Sequence, residues 1–100
     1  MAASYRLTHD AQQDLMAIRR YTQQNWGAEQ SRKYLQNMRS TLELLAEFPG
    51  QGTARSEVGE GVFCFPYGSH MLYYRLDEGL LIVFAVLHQR MVPMQHLKGR

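Results

Sequence analysis

Two periods divide the chain. From His9 to Trp26 the residues Ala11, Leu15, Ile18, Thr22 and Trp26 recur at spacings of three and four, with Gln12, Gln13, Arg19, Arg20, Gln23 and Gln24 on the remaining arc. This predicts an amphipathic helix with one face on a core. Thr8 precedes it as an N-cap, its hydroxyl suited to accept from free N–H groups of the first turn. Asp10 and Asp14 near the start, and Arg19 and Arg20 toward the end, complement the helix dipole. Ahead of the cap, Tyr5-Arg6-Leu7 alternates as a short edge strand does. Gly27 stops the helix, and a second stripe, Ser31, Leu35, Met38, Leu42 and Leu45, runs on to Pro49-Gly50. Helices joined so tightly fold back as a hairpin, and both stripes are buried only if the hairpin packs on a further layer.

The second half supplies that layer. Gly50 to Gly61, holding Gly50, Gly52, Gly59 and Gly61, reads as the one long loop. Val62 to Phe65 and Ser69 to Leu76 are then strand-like, separated by the turn residues Pro66-Tyr67-Gly68, and Asp77-Glu78-Gly79 turns the chain into Leu80 to Leu87. That last segment is apolar throughout, as suits a central strand covered on both faces. Gln89 to Arg100 breaks at Pro93 and is expected to add one helical turn or a flexible tail. The predicted order is β-α-α-β-β-β, an α+β fold with a helical hairpin packed on a mostly antiparallel sheet, in one domain over residues 1–100.

Composition narrows the function classes. A chain of 100 residues closes one hydrophobic core, and 45% hydrophobic with 20% charged residues is ordinary globular usage. The longest apolar run, Leu80 to Leu87, is far short of the roughly 20 residues a helix needs to cross a bilayer, so no membrane partner is expected. The stretch from Met1 to Arg6 has neither an apolar signal core nor an Arg-rich transit pattern, which predicts a cytoplasmic protein. The net charge of +2 favours an acidic partner, yet is too slight to predict direct nucleic-acid binding. That charge is uneven: Arg90, Lys98 and Arg100 fall in a final segment without Asp or Glu, a candidate contact surface. Cys64, the single cysteine, lies in the string Val62-Phe63-Cys64-Phe65 and reads as a buried inert thiol.

Candidate chemistry is sparse. His9, His70, His88 and His96 fall on different predicted elements, without zinc-like spacing or a cysteine pair, so no metal is expected. No glycine-rich loop leads into a helix with Lys-Ser or Lys-Thr, and Ser69 lacks a Gly-x-Ser-x-Gly elbow, which argues against nucleotide hydrolysis, serine catalysis and any cofactor. Metal-free RNA cleavage is the more serious option, because it needs a base, an acid and cations, and Arg55, His70, Arg75, His88 and Arg90 are of those types. Strand alternation puts His88 and Arg90 on one side with Leu80, Ile82, Phe84 and Val86, emerging together beyond the strand end. Against this, Arg75 beside Asp77 and Glu78 reads as a hairpin ion pair, His88 as a hydrogen-bonded histidine at the core edge, and the aromatics Phe63, Phe65, Tyr67, Tyr73, Tyr74 and Phe84 as sheet packing.

Several strings together resemble ParE toxins of the wider ParE/RelE superfamily. Tyr5-Arg6-Leu7-Thr8 with Ala11, Asp14-Leu15, Ile18 and Tyr21 resembles the family's opening, and Leu44 to Pro49 with Gly52, Arg55 and Glu57-Val58-Gly59 its second-helix exit and loop. Phe65-Pro66-Tyr67-Gly68, Tyr73-Tyr74-Arg75 and Val86-Leu87-His88-Gln89-Arg90 resemble its three strands in order. The resemblance implies a toxin that inhibits DNA gyrase, traps DNA breaks and is silenced by a ParD-like antitoxin whose disordered C-terminal segment folds along its surface. Such a toxin needs no catalytic residue, and His88, Arg90, Lys98 and Arg100 are then the gyrase contact candidates. RelE-like relatives instead cleave ribosome-bound mRNA with several basic residues and often a C-terminal tyrosine or histidine. Here the loop offers only Arg55, Met91 to Gln95 has no tyrosine, and His96 alone keeps that alternative; the acidic residue often found after the Arg90 position is also missing.

Overall fold

The computed structural model describes residues 4–100. Its elements are β1 (Tyr5–Leu7), α1 (His9–Trp26), α2 (Ala28–Glu47), β2 (Thr53–Ala54), β3 (Phe63–Tyr67), β4 (His70–Asp77), β5 (Leu80–His88) and α3 (Pro93–His96), with a 3-10 turn at Pro49–Gln51. The fold is α+β, as predicted: a helical hairpin lies on a five-stranded sheet of order β1-β5-β4-β3-β2. β1 joins β5 in parallel, and the other pairings are antiparallel.

Local chemistry sets the boundaries of the hairpin. The Thr8 hydroxyl accepts from the Ala11 N–H at 3.2 Å, while the Thr8 N–H donates to the Val83 carbonyl at 2.9 Å, so one residue ends β1 and starts α1. Gly27 takes φ +89°, a conformation open to glycine, and separates α1 from α2. Ala11, Ile18 and Thr22 of α1, and Ser31, Met38, Leu42 and Leu45 of α2, are buried. The two polar members of those stripes satisfy one another: Thr22 Oγ1 and Ser31 Oγ are 2.6 Å apart, and Thr22 also donates to the Ile18 carbonyl at 2.8 Å. Trp26, at the end of the first stripe, is partly exposed and sits edge-on to Tyr34.

Both faces of the sheet are covered, which explains the wholly apolar interior of β5. Leu72, Tyr74, Leu81, Val83 and Val86 meet the hairpin; Cys64, Tyr73, Phe84, Ala85 and Leu87 form a second cluster on the back with Val58, Val62 and Leu97. The expected long loop is therefore structured. Its first part adds β2, which pairs Thr53 with Cys64 and Ala54 with Phe63, and its remainder lays Val58 and Val62 on the back face. The C-terminal segment forms a helical turn and is anchored there by Leu97.

Three further expectations need correction. Pro66 belongs to β3, opposite Met71, and the turn is the two residues Gly68-Ser69; β2 has ended by then, so a residue lacking an N–H is tolerated on the open side. Among the described residues Arg75 makes no ion pair with Asp77 or Glu78; its guanidinium lies over the Phe84 ring, 5.6 Å from the centroid. Alternation along β5 also breaks: Tyr73 pairs with Ala85 but Tyr74 with Val83, so Phe84 is an extra residue in a β-bulge. Val86 and His88 consequently share the helix side with Leu81 and Val83, while Phe84 faces the back.

Candidate functional site at the end of β5

β1 is short, covering only Leu81 to Val83, and past Val83 the edge of β5 faces α1 and the C-terminal segment. Asp14 fills this gap. Its Oδ2 accepts from the Val86 N–H at 2.9 Å and from Arg100 Nη1 at 2.6 Å, and its Oδ1 from Arg100 Nη2 at 3.1 Å. Arg100 Nη1 also reaches the Phe84 carbonyl at 3.4 Å. The paired side chains are only 18% and 15% exposed for Arg100 and Asp14, and Asp14 holds the guanidinium further toward its charged form. Arg100 is thus tied down, unlike a charge on a solvated tail.

Between this pair and the end of β5 opens a cleft of about 460 Å³, walled by Asp14, Ala17, Ile18 and Tyr21 of α1 and by His70, Val86, His88, Arg90, Met91 and His96. The register sets His70 directly opposite His88, with ring centroids 5.5 Å apart in an edge-on arrangement. The His70 ring is buried and its Nδ1 lies 2.7 Å from the Tyr34 hydroxyl, which accepts from the Ser69 N–H at 3.1 Å. Burial, and then the neighbouring His88, push the His70 pKa down to about 4, so this ring is neutral near pH 7. His88 Nδ1 accepts from the Arg90 N–H at 3.1 Å, which places the proton of its neutral form on Nε2.

The predicted residues separate into two groups. His70, His88, Arg90, His96 and Arg100 line the cleft; Lys98 is exposed beside it in sequence. Arg55 and Arg75 belong to the back: Arg55 contacts Glu57 and donates to the Cys64 sulfur at 3.6 Å, and Arg75 stacks on Phe84. Three of the four histidines expected on different elements, His70, His88 and His96, thus converge, while His9 at the start of α1 is not among the cleft residues and the two arginines Arg55 and Arg75 lie elsewhere. Asp14 and Tyr34 were missed as site residues. Asp14, Ala17 and Tyr21 form a second helical stripe at spacings of three and four beside the core stripe, a legible signal; Tyr34 offered none. Among the described residues no group of three or more His, Cys, Asp or Glu is gathered for a metal ion, and no helix is long and apolar enough to cross a membrane.

Comparison with known proteins gives this architecture its place. Residues 5–93 match the family described as the ParE toxin of the type II toxin-antitoxin system, parDE. Toxin ParE1 of Caulobacter vibrioides is 38% identical, with 93% of this chain and 96% of the relative covered. Toxin ParE1 of Mycobacterium tuberculosis is 37% identical, with 91% and 94% covered, and Toxin ParE of Escherichia coli is 36% identical, with 97% and 95% covered. A chain of the solved chromosomal ParDE TA system from P. aeruginosa shares the fold, with a TM-score of 0.74 at 20% identity over 87% of this chain and 96% of that one. On the family match and these near full-length relatives, this chain belongs to the ParE toxin family of type II toxin-antitoxin systems.

Proposed function

We propose that this chain arrests growth by binding DNA gyrase without catalysing a reaction, and that a ParD-like antitoxin silences it. Beyond family membership, the observation that carries the non-enzymatic reading is the division of the basic residues. Arg55 and Arg75 sit on the back of the sheet, the cleft holds His70, His88 and Arg90, and His70 is buried and neutral. A ribonuclease gathers its acid, base and phosphate-binding cations around one phosphate.

The gyrase contact in this reading is the end of β5 and the segment after it. Arg90 and Lys98 carry outward charge there, His88 is half exposed, and Arg100, held by Asp14, shapes the wall. The antitoxin contact is the outer surface of the helical hairpin, which suits an amphipathic helix that folds as it binds.

The test is a supercoiling and DNA-cleavage assay on gyrase with the purified chain, with and without ATP, against a heat-denatured control. Lost supercoiling, or linear DNA after protein digestion, is the expected result. Gyrase unaffected by a large molar excess of folded protein overturns the reading. The second reading, a RelE-like metal-free endoribonuclease, draws on the meeting of His70, His88 and Arg90 in one cleft; cleavage of mRNA on translating ribosomes, lost in His88→Ala, would establish it.

A further inference from the structure

Trp26 ends the core stripe of α1 yet is 45% exposed, and the fold sets it beside a second group of aromatic side chains. Gln30, Lys33, Tyr34 and Asn37 recur at spacings of three and four and so share one face of α2, with Tyr67 at the end of β3 next to them. These six residues line a pocket of about 570 Å³ where α2 meets β3.

Its aromatic wall is fixed from behind. The ring centroids of Trp26 and Tyr34 are 5.3 Å apart, and those of Tyr34 and Tyr67 are 4.9 Å apart. The Tyr67 hydroxyl donates to the Tyr34 carbonyl at 2.7 Å, while the Tyr34 hydroxyl lies 2.7 Å from His70 Nδ1 and accepts from the Ser69 N–H at 3.1 Å. With both hydroxyls used inside the fold, the two tyrosines offer only ring surface, already in place before a ligand arrives. The rest of the lining is polar and has one sign of charge. Gln30, Lys33 and Asn37 are exposed, no Asp or Glu lines the pocket, and Glu29, one turn before Lys33, pairs with Arg32 instead. Among the described residues Lys33 makes no ion pair.

Such a lining discriminates between ligand classes. A neutral sugar would use the rings and amides but leave the ammonium idle, and a small anion would use the ammonium alone. A nucleotide uses all three: its base stacks on an exposed aromatic ring, a side-chain amide gives the paired donor and acceptor that match adenine, and a lysine meets the phosphate as a point charge. Gln30 and Asn37 are roughly 10 Å apart along α2 with Lys33 between them, a span of one nucleotide. We propose that this pocket binds an adenine nucleotide, free or as one unit of a single strand, with its base on Trp26, the base edge at Gln30 or Asn37 and the phosphate at Lys33. The slight net charge, which argues against holding a duplex, is no obstacle to a single stacked base. The site is independent of the gyrase reading.

Trp26 is the only tryptophan, so its fluorescence, excited beyond the absorption of the bases, reports on this pocket alone. In the full chain AMP should quench it at a concentration at least about tenfold below that needed by adenosine or ribose 5-phosphate, and about fivefold below that needed by UMP. Lys33→Ala, an exposed change, should weaken AMP by about tenfold and adenosine by less than about twofold. Trp26→Ala, followed by calorimetry, should lose AMP binding, and Arg6→Glu on β1 should behave as the parent chain does. A strand of about ten deoxyadenosines that binds more tightly than AMP identifies the single strand as the source of the nucleotide, and the reverse order identifies the free nucleotide; both uphold the site. No quenching by AMP or the strand up to about 10 mM, an equal response to AMP and ribose 5-phosphate or to AMP and UMP, tighter binding of a duplex of the same length, or indifference to Lys33→Ala overturns the proposal.

Discussion

Asp14 and Arg100, 86 residues apart in sequence, form a two-point ion pair at the open edge of β5, with Asp14 also accepting from the Val86 N–H. Removing the two partners should therefore have unequal effects. Asp14→Ala strands both a buried N–H and a guanidinium and should cost about 2–4 kcal/mol, whereas Arg100→Ala should cost about 1–2 kcal/mol. Urea unfolding of the single and double variants measures this, and the double variant should cost clearly less than the sum.

Acid should unfold the protein partly through His70. Its pKa of about 4 in the folded chain is below the ordinary 6.5, so the unfolded chain binds the proton more readily. Its contribution is complete above about pH 6.5 and is lost as pH falls toward 4, by about 2–3 kcal/mol. The parent chain minus His70→Gln, compared by urea unfolding at pH 7.5, 5.5 and 4.5, isolates this slope from that of the carboxylates.

Glu78 occupies the first place of a two-residue hairpin turn with φ +50°, followed by Gly79 at +82°. Both values suit a turn that favours Asn-Gly. Glu78→Asn should stabilise the chain by about 0.5–1 kcal/mol, seen as a higher urea midpoint at unchanged slope.

Tyr74 lies against Gly52 and donates to the Pro49 carbonyl at 2.6 Å, which ties the start of the loop to the sheet. A Cβ on residue 52 would lie 2.0 Å from the Tyr74 hydroxyl oxygen. Gly52→Ala should cost about 2–3 kcal/mol, and less in a Tyr74→Phe background where that oxygen is absent. Thermal melts of the four proteins decide it.

For activity, Arg90→Ala should raise the concentration needed for half-inhibition of gyrase supercoiling by about tenfold, the effect of losing one charge-assisted contact. Arg75→Ala, on the back of the sheet over Phe84, should change it by less than twofold. Equal effects of the two would place the contact elsewhere.

The helices and the order of strands were legible because their signals are local. Thr8, Gly27 and two stripes at helical spacing determine the hairpin without help from the rest of the chain. β2 escaped notice because two residues carry no period, and its pairing with Cys64 and Phe63 is a product of the fold. The bulge at Phe84 escaped for a related reason: in a run where every residue is apolar, a change of face leaves no polar residue out of place. His88 and Arg90 were correctly placed near one another, but on the side given by unbroken alternation. Arg100 was read from its charge alone, and its partner lies in the first helix, at a distance that periodicity does not reach.

The same edge bears on how this sheet meets other chains. A strand is extended by a neighbour only where N–H and C=O groups stand open in a row. On one side β2 offers just Thr53 and Ala54, and past it the open edge of β3 is interrupted by Pro66, which has no N–H; on the other, β1 offers only Tyr5 to Leu7, and past Val83 the Phe84 carbonyl and the Val86 N–H are already engaged by side chains. The protein is therefore poorly templated for edge-to-edge aggregation, and a visitor seeking to add a strand beside β5 must first dislodge Arg100.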